Sequence, residues 1–165
     1  LEDGSYIIAG EYKPTFWTKA SDGTWHMGKT KEDIKDAKYC KKASMSAKGV
    51  INKNAKDSSV TKPSNQRLEI VPLDNPANFK VGVPFKVQIL FEGKPLENAT
   101  LDGTFDGFLK EKSAFHGQTE PDGTIEVLAL KPGKWLLQTV HKMPFADSKI
   151  CDDETIAATL AFELK

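Results

Sequence analysis

The chain has 165 residues, with 23 basic and 23 acidic side chains, and its formal net charge at pH 7 is zero. This balance argues against a nucleic-acid-binding protein, because such proteins usually carry a basic excess. Hydrophobic residues make up 39% of the chain, which excludes a disordered protein. No stretch approaches the roughly 18 consecutive apolar residues of a transmembrane helix, so we expect a chain that does not span a membrane.

The start of the chain resembles a segment far downstream, Leu130–Pro144. In both places a turn leads into a strand whose first inward residue is aromatic: Tyr6 in the first copy and Trp135 in the second. Repetition of one supersecondary unit predicts two copies of one sandwich type. We therefore expect residues 1–11 to be the last turn and strand of a truncated preceding sandwich. The alternative is a chance match, because a Gly-aromatic-aliphatic sequence often begins a strand.

The next segment, residues 12–66, is polar and rich in lysine, and its apolar residues show only weak periodicity. This pattern predicts an irregular connecting segment between two domains. One short helix could begin at Thr30, with threonine as its N-cap and acidic residues in its first turn. Ser46–Asn52 could form a strand.

From residue 67 to residue 165 apolar and polar side chains alternate with a period of two. Phe85, Val87 and Ile89, for example, are separated by Lys86 and Gln88. Such alternation is typical of half-buried strands. Further strands are predicted at Leu68–Leu73, Glu97–Phe105, 124–130, 135–139 and 155–164. Short strands separated by Gly, Pro and Asn turns predict an all-β fold, an antiparallel β-sandwich of about seven strands.

Several stretches taken together resemble a known family: EYKPTFWTKASDGTW, SAKGVIN, LEIVPLDNP, VQILFEGKPLENATL, TEPDGTIEVLALKPGKWLL and CDDETIAATLAFEL. They are similar to the bacterial periplasmic family described as the periplasmic component of cobalt/nickel ABC-type transport. The resemblance covers most of the chain. It implies immunoglobulin-like or prealbumin-like halves, a periplasmic or secreted location and a role in divalent metal uptake. Some relatives carry a histidine-rich stretch near the mature N-terminus, which this chain lacks.

Four residues are candidate ligands for Ni²⁺ or Co²⁺, which favour imidazole together with thioether or carboxylate groups. His26 and Met27 form the most ligand-like pair, because they lie in a loop flanked by glycine. His116 and His141 belong to distant segments and could meet this pair in space. The alternative is that His26 is solvated beside a packed Trp25, and that the other two histidines are hydrogen-bonded at the edge of a core.

The two cysteines, Cys40 and Cys151, are far apart in the sequence. They could close one long loop as a disulfide, or they could be two free thiols. Spacing alone leaves both alternatives open.

The sequence contains no Gly-x-Ser-x-Gly, His-Glu-x-x-His, P-loop or Gly-x-Gly-x-x-Gly motif, so we do not expect an enzyme. We expect a non-enzymatic periplasmic accessory protein that binds a divalent metal or presents it to a membrane metal transporter. The alternative is a structural or protein/carbohydrate interaction module without metal. In that case the exposed aromatic residues Trp17 and Trp25 would form the contact surface.

Overall fold

A computed structural model describes residues 1–109 and 111–165, and these residues form strands, turns and two short 3-10 helices. The predicted all-β sandwich is confirmed. No helix within the described ranges is long and apolar enough to cross a membrane. The strands are β1 Gly4–Ala20, β2 Trp25–Met27, β3 Ala37–Lys53, β4 Leu68–Pro72, β5 Phe85–Phe91, β6 Lys94–Pro95, β7 Thr100–Phe105, β8 Phe115–Gln118, β9 Thr124–Val127, β10 Gly133–Pro144 and β11 Asp153–Leu164, and the 3-10 helices are Ser58–Thr61 and Pro76–Asn78.

The strands form two sheets. In the larger sheet seven strands lie in the order β2-β1-β3-β11-β10-β7-β8. In the smaller sheet β5 pairs with β4, β6 and β9. The pairing of β10 with β7 and that of β4 with β5 are both antiparallel, with Ile70 opposite Ile89 in the smaller sheet. The predicted strands of residues 67–165 are therefore present.

The chain divides into two compact units. Unit 1 consists of Leu1–Gly10, Ser46–Val140 and Ala158–Lys165, and unit 2 consists of Glu11–Met45 and His141–Ala157. The strands β1, β3, β10 and β11 each contribute residues to both units. These units differ from the predicted division of the chain at residues 11 and 66.

The core of unit 1 follows from the alternation in β5. Phe85, Val87 and Ile89 are buried on one face, and Lys86 is exposed on the other. Phe79 stacks on Phe85 with ring centroids 3.9 Å apart. Each fully buried aliphatic or aromatic side chain of this kind stabilises the fold by about 1.5–3 kcal/mol.

Unit 1 also contains a buried ion pair. The Nζ atom of Lys48 lies 2.8 Å from Oε2 of Glu69, and each side chain is only 1% exposed. The backbone N–H of Ser64 donates a second hydrogen bond to the same carboxylate oxygen, at 2.9 Å. Burial lowers the pKa of Lys48, and the contact with Glu69 opposes this shift. Each buried charge therefore has an opposite charge as its partner and is hydrogen-bonded, as buried charges must be.

Unit 2 is closed by a disulfide between Cys40 and Cys151, which are 111 residues apart and have Cα atoms 4.8 Å apart. Of the two alternatives that the sequence left open, the structure shows the disulfide. The neighbouring Asp152 accepts hydrogen bonds from the backbone N–H of Cys40, at 2.8 Å, and from Nζ of Lys31, at 2.5 Å. The disulfide, the carboxylate and the lysine therefore join the two segments of unit 2.

The prediction of an irregular segment at residues 12–66 is wrong. Most of β1 and all of β2 and β3 lie there, and both β1 and β3 have 17 residues. The middle of β1, residues 8–14, is exposed on both faces, so its sequence has no apolar alternation to indicate a strand. Pairing with β3 in the large sheet sets its conformation instead. The predicted strand Ser46–Asn52 is confirmed as part of β3.

The predicted helix at Thr30 is also wrong. The backbone N–H and the hydroxyl of Thr30 both donate to Oδ2 of Asp33, and Asp33 donates its own N–H to the carbonyl of Thr30. A further turn joins Ala37 to Ile34. Asp33 therefore closes an isolated turn and does not begin a helix. The next element, β3, begins at Ala37.

Residues 1–11 do not form part of a separate sandwich in this structure. Leu1–Gly10 belongs to unit 1, where the Ser5 hydroxyl donates to Oδ1 of Asn52 at 2.6 Å. Tyr6 donates its hydroxyl to the carbonyl of Glu2. That a second sandwich precedes these residues stays a prediction, as does the finer immunoglobulin-like or prealbumin-like assignment.

Candidate functional site

A group of exposed and half-buried aromatic and lysine side chains lies on one face of the large sheet in unit 2. We call it the Trp25 face and define it by Lys19, Trp25, Tyr39, Lys41 and Lys142. Strand alternation explains the shared face, because successive side chains of a strand point to opposite sides. Lys19 lies directly opposite Trp25 in the β1–β2 pairing. Tyr39 and Lys41 flank the buried Cys40 of β3 and therefore point away from it.

A tight turn between β1 and β2 places Trp25. Gly23 has φ of +89°, a conformation that favours glycine. The side chain of Asp22 accepts the backbone N–H of Thr24 at 2.8 Å, and Ala20 donates its N–H to the carbonyl of Thr24 at 2.9 Å. The same hydrogen bond from Thr24 lowers the pKa of Asp22. The Asp-Gly pair in the sequence thus returns the chain so that Trp25 meets β1.

Trp25 is 42% exposed and contacts one aromatic ring and two ammonium groups. Its ring meets that of Tyr39 edge-on, with centroids 6.1 Å apart and an interplanar angle of 86°. The Nζ atoms of Lys19 and Lys41 lie 5.8 Å and 5.4 Å from the centroid of the Trp25 ring. Exposed cation–π contacts are worth only about 0.5–1 kcal/mol, so a partner can displace these lysines at little cost.

The far end of the Trp25 face is an ion pair. Lys142 Nζ lies 2.9 Å from Oδ2 of Asp153 and 5.5 Å from the Tyr39 ring centroid. The hydrogen bond with Asp153 raises the pKa of Lys142 and lowers that of Asp153. Among the residues that the structure describes, neither Lys19 nor Lys41 forms a salt bridge. The Trp25 face therefore keeps positive charge that no carboxylate of the described residues neutralises.

An apolar pair continues the Trp25 face along β1 and β2. Trp17 lies directly opposite Met27, two residues from the pair of Lys19 and Trp25, so both pairs point to the same side. Met27 is 62% exposed and Trp17 is half-buried. The surface thus combines exposed indole and thioether groups with ammonium groups.

The predicted metal ligands His26 and Met27 do not converge. They are neighbours on β2, so their side chains point to opposite faces of the sheet. His26 pairs with the buried Thr18, whereas Met27 pairs with Trp17. The expectation of a loop in which both side chains meet one ion is wrong, because the segment is a strand.

His116 is held by a carboxylate. The β7–β8 pairing places it opposite Asp102, and its Nδ1 lies 2.8 Å from Oδ1 of that residue. Ser113 donates its hydroxyl to the same oxygen at 2.8 Å. Burial alone would raise the pKa of Asp102, but the hydrogen bonds from His116 and Ser113 outweigh it, and the pKa is lowered. The imidazole is 67% exposed, so its Nε2 remains accessible to solvent.

His141 is half-buried on β10, on the side of the strand that also carries the buried Thr139. Across residues 1–109 and 111–165, no group of three or more His, Cys, Asp or Glu side chains lies close enough to hold a metal ion. The four predicted ligands are therefore not gathered into one site. Of these four, His116 lies beside a carboxylate, that of Asp102.

Sequence reasoning identified Trp17 and Trp25 as contact residues but missed the lysines and the tyrosine. The available signal was the alternation Tyr39-Cys40-Lys41, which puts a tyrosine and a lysine on one side of a strand once Cys40 is known to be buried.

The sequence model of the family described as domain of unknown function DUF4198 matches residues 1–143. No curated protein and no solved structure matches the chain. Because the matched region covers well over half of the sequence, the chain belongs to the DUF4198 family.

Proposed function

We propose that this chain is a non-enzymatic accessory protein, periplasmic or secreted, that binds an acidic partner protein through the Trp25 face. The observation that carries the proposal is the state of Trp25, which is 42% exposed with the ammonium groups of Lys19 and Lys41 at 5.8 Å and 5.4 Å from its ring centroid. Lys19 and Lys41 have no salt bridge among the described residues, so carboxylates of a partner can form ion pairs with both lysines without breaking an existing one.

The composition of the Trp25 face fits a protein partner. Binding hot spots are enriched in tryptophan and tyrosine, and methionine adapts its shape to different partners. Trp25, Tyr39 and the neighbouring Met27 supply these groups. Lysines around such a centre attract an acidic surface and speed its association.

The disulfide supports the location. Cys40 and Cys151 are fully buried and joined, and disulfides of this kind persist in oxidising compartments such as the periplasm and the cell exterior.

The test is a titration with poly-L-glutamate at low ionic strength, followed by tryptophan fluorescence and calorimetry. We expect saturable binding that Trp25→Ala and Lys19→Glu/Lys41→Glu each weaken about tenfold, a change of about 1.4 kcal/mol. Binding should fall as salt approaches 1 M, where the screening length is about 3 Å.

The matched control is Lys38→Glu/Lys149→Glu, which reverses two exposed lysines of unit 2 outside the Trp25 face. This variant should bind poly-L-glutamate like the parent. Equal losses in both double variants would reduce the effect to net charge and contradict the proposal. Binding of polygalacturonate without binding of poly-L-glutamate would favour the carbohydrate alternative instead.

A second candidate function is a role in cobalt/nickel uptake, with a membrane metal transporter as the partner. The resemblance of the sequence motifs supports it, and so does the contact of His116 with Asp102, since imidazole backed by a carboxylate is a common ligand arrangement. We expect Ni²⁺ or Co²⁺ to bind at His116 and His116→Ala to abolish the calorimetric signal. His26→Ala serves as the control and should bind the ion like the parent. No heat from either ion would remove this candidate.

A further inference from the structure

Unit 1 contains an open cavity of about 1060 Å³ that the proposed function does not use. It lies among the end of β3, the 3-10 helix Pro76–Asn78 and the end of β11. Pockets for small molecules typically have volumes of about 300–1000 Å³, so this cavity is large enough for a small ligand.

One part of the cavity is apolar. Val50, Pro76 and Phe79 line it and are buried, and Phe79 is fixed by its stacking on Phe85. Ile51 also lines the cavity and remains 39% exposed. An apolar group placed there would remove this exposed surface from water, which is favourable.

The remainder of the cavity is rich in cations. Three lysine side chains line it, Lys56, Lys80 and Lys165, against the one glutamate side chain Glu163. None of these lysines forms a salt bridge within the described part of the chain. The lining therefore carries more ammonium groups than carboxylates, which favours an anion and disfavours a cation.

The walls of the cavity are held by a buried side chain behind them. Asn75 is 1% exposed, and its Nδ2 donates to the Ser5 hydroxyl at 2.9 Å and to the Asp57 carbonyl at 2.7 Å. Its Oδ1 accepts the N–H of Ala77, and Ser5 in turn donates to Asn52. Both Ala77 and Asn52 line the cavity. This network fixes the lining before any ligand arrives, so binding does not have to order it.

We propose that this cavity binds a small organic anion with an apolar body, the chemical class of aromatic or aliphatic carboxylates and sulfonates. Lys56 and Lys80 contact the anionic group, and Ile51 and Phe79 pack on the apolar body. This site is distinct from the Trp25 face, whose residues all belong to unit 2.

The test uses two dyes that share one ring system. The first, 8-anilinonaphthalene-1-sulfonate, carries a sulfonate, and the second, N-phenyl-1-naphthylamine, does not. We expect the sulfonate dye to bind saturably at one site per chain, with a fluorescence rise. Lys56→Glu/Lys80→Glu should weaken this binding at least about tenfold, or about 1.4 kcal/mol, and leave the neutral dye unaffected. Ile51→Ser should weaken both dyes.

Two controls separate this site from other effects. Lys94→Glu/Lys134→Glu reverses two exposed lysines of unit 1 that do not line the cavity, and it should bind both dyes like the parent. Trp25→Ala should also leave both dyes unaffected, so failure of the Trp25 proposal and failure of this one can be told apart. Thermal unfolding of each variant confirms that it is folded.

Three results would overturn the proposal: no saturable binding of the sulfonate dye, unchanged binding in Lys56→Glu/Lys80→Glu, or an equal loss in the Lys94→Glu/Lys134→Glu control.

Discussion

Lys48 and Glu69 put two opposite charges in the interior of unit 1, where each side chain is 1% exposed. Taking a charge out of water costs several kcal/mol, and the attraction between the partners offsets this cost only while both are present. The hydrogen bond from Ser64 to Glu69 adds to that compensation. The two charges therefore depend on each other, and removing one of them lowers the stability more than removing both.

We expect Lys48→Met to lower the free energy of unfolding by about 3 kcal/mol, because it leaves the Glu69 carboxylate buried without its counter-charge. The double variant Lys48→Met/Glu69→Leu should recover most of this loss. Lys38→Met, at an exposed position of the same strand, should stay within about 0.5 kcal/mol of the parent. Urea unfolding followed by circular dichroism measures all three. A loss as small in Lys48→Met as in Lys38→Met would contradict the prediction.

Individual histidines show the limits of residue-level prediction. His116 has the composition of a ligand, but the sequence gives no indication that Asp102 lies opposite it, because that pairing depends on the β7–β8 register. His26 and Met27 are adjacent in the sequence, which suggests that they share one metal ion. Adjacent residues of a strand point to opposite faces, however, so their side chains are kept apart.

At the level of elements, the turn before β9 depends on one glycine. Gly123 has φ of +73°, and a Cβ atom there would lie 2.8 Å from the carbonyl oxygen of Ile89. That carbonyl belongs to the paired strand β5, so it cannot move without disturbing the smaller sheet. The backbone carbonyl of Gly123 accepts a hydrogen bond from the N–H of Ile89 at 2.8 Å.

We expect Gly123→Ala to cost about 2–4 kcal/mol of stability, since the steric clash adds to roughly 1–2 kcal/mol for a left-handed alanine. The matched control is Gly82→Ala, where φ is +74° but nothing lies within 4 Å of the new atom. It should show the backbone cost alone. Thermal and urea unfolding compare the two variants, and equal losses would show that the contact with Ile89 has no effect.

The strands could be predicted where one face is buried and the other wet. The sequences of β5 and β11 alternate between apolar and polar residues because one face of each strand packs against the core. The middle of β1 is exposed on both faces, so its sequence has no apolar alternation that would predict a strand. Its strand conformation comes from pairing with β3, a partner that local sequence cannot identify.

The candidate site could be predicted only in part for the same reason. Trp25 was identifiable as an aromatic residue in a polar segment. Lys41 of β3 contacts the Trp25 ring, and Lys142 of β10 contacts the Tyr39 ring. The strand order of the sheet brings these side chains within reach of one another. Strand order depends on long-range pairing, which the spacing of residues does not reveal.

For the molecule as a whole, the disulfide is a long-range constraint. It joins residues 111 positions apart and so restricts the unfolded chain strongly. In the chain-entropy account the stabilisation grows with the length of the closed loop. The structure also buries both cysteines completely, which protects the bond from thiols in solution.

We expect Cys40→Ala/Cys151→Ala to lose about 5 kcal/mol of unfolding free energy, the chain-entropy value for a loop of this length. Urea unfolding in the absence of reductant measures the change. Unfolding the parent in the presence of a phosphine reductant should give the same loss, and the reductant should not affect the double variant. A parent that is equally stable in both conditions would contradict the prediction.

The two segments of unit 2 also have a consequence for how the protein is made. Glu11–Met45 leaves the ribosome long before His141–Ala157, so Cys40 exists as a lone thiol while the intervening chain is synthesised. During this interval it can form mixed disulfides with small thiols or with the Cys40 of another chain. Correct pairing must therefore occur after Cys151 has emerged. We therefore expect the yield of native protein to depend on the thiol-exchange catalysts that act at this late stage.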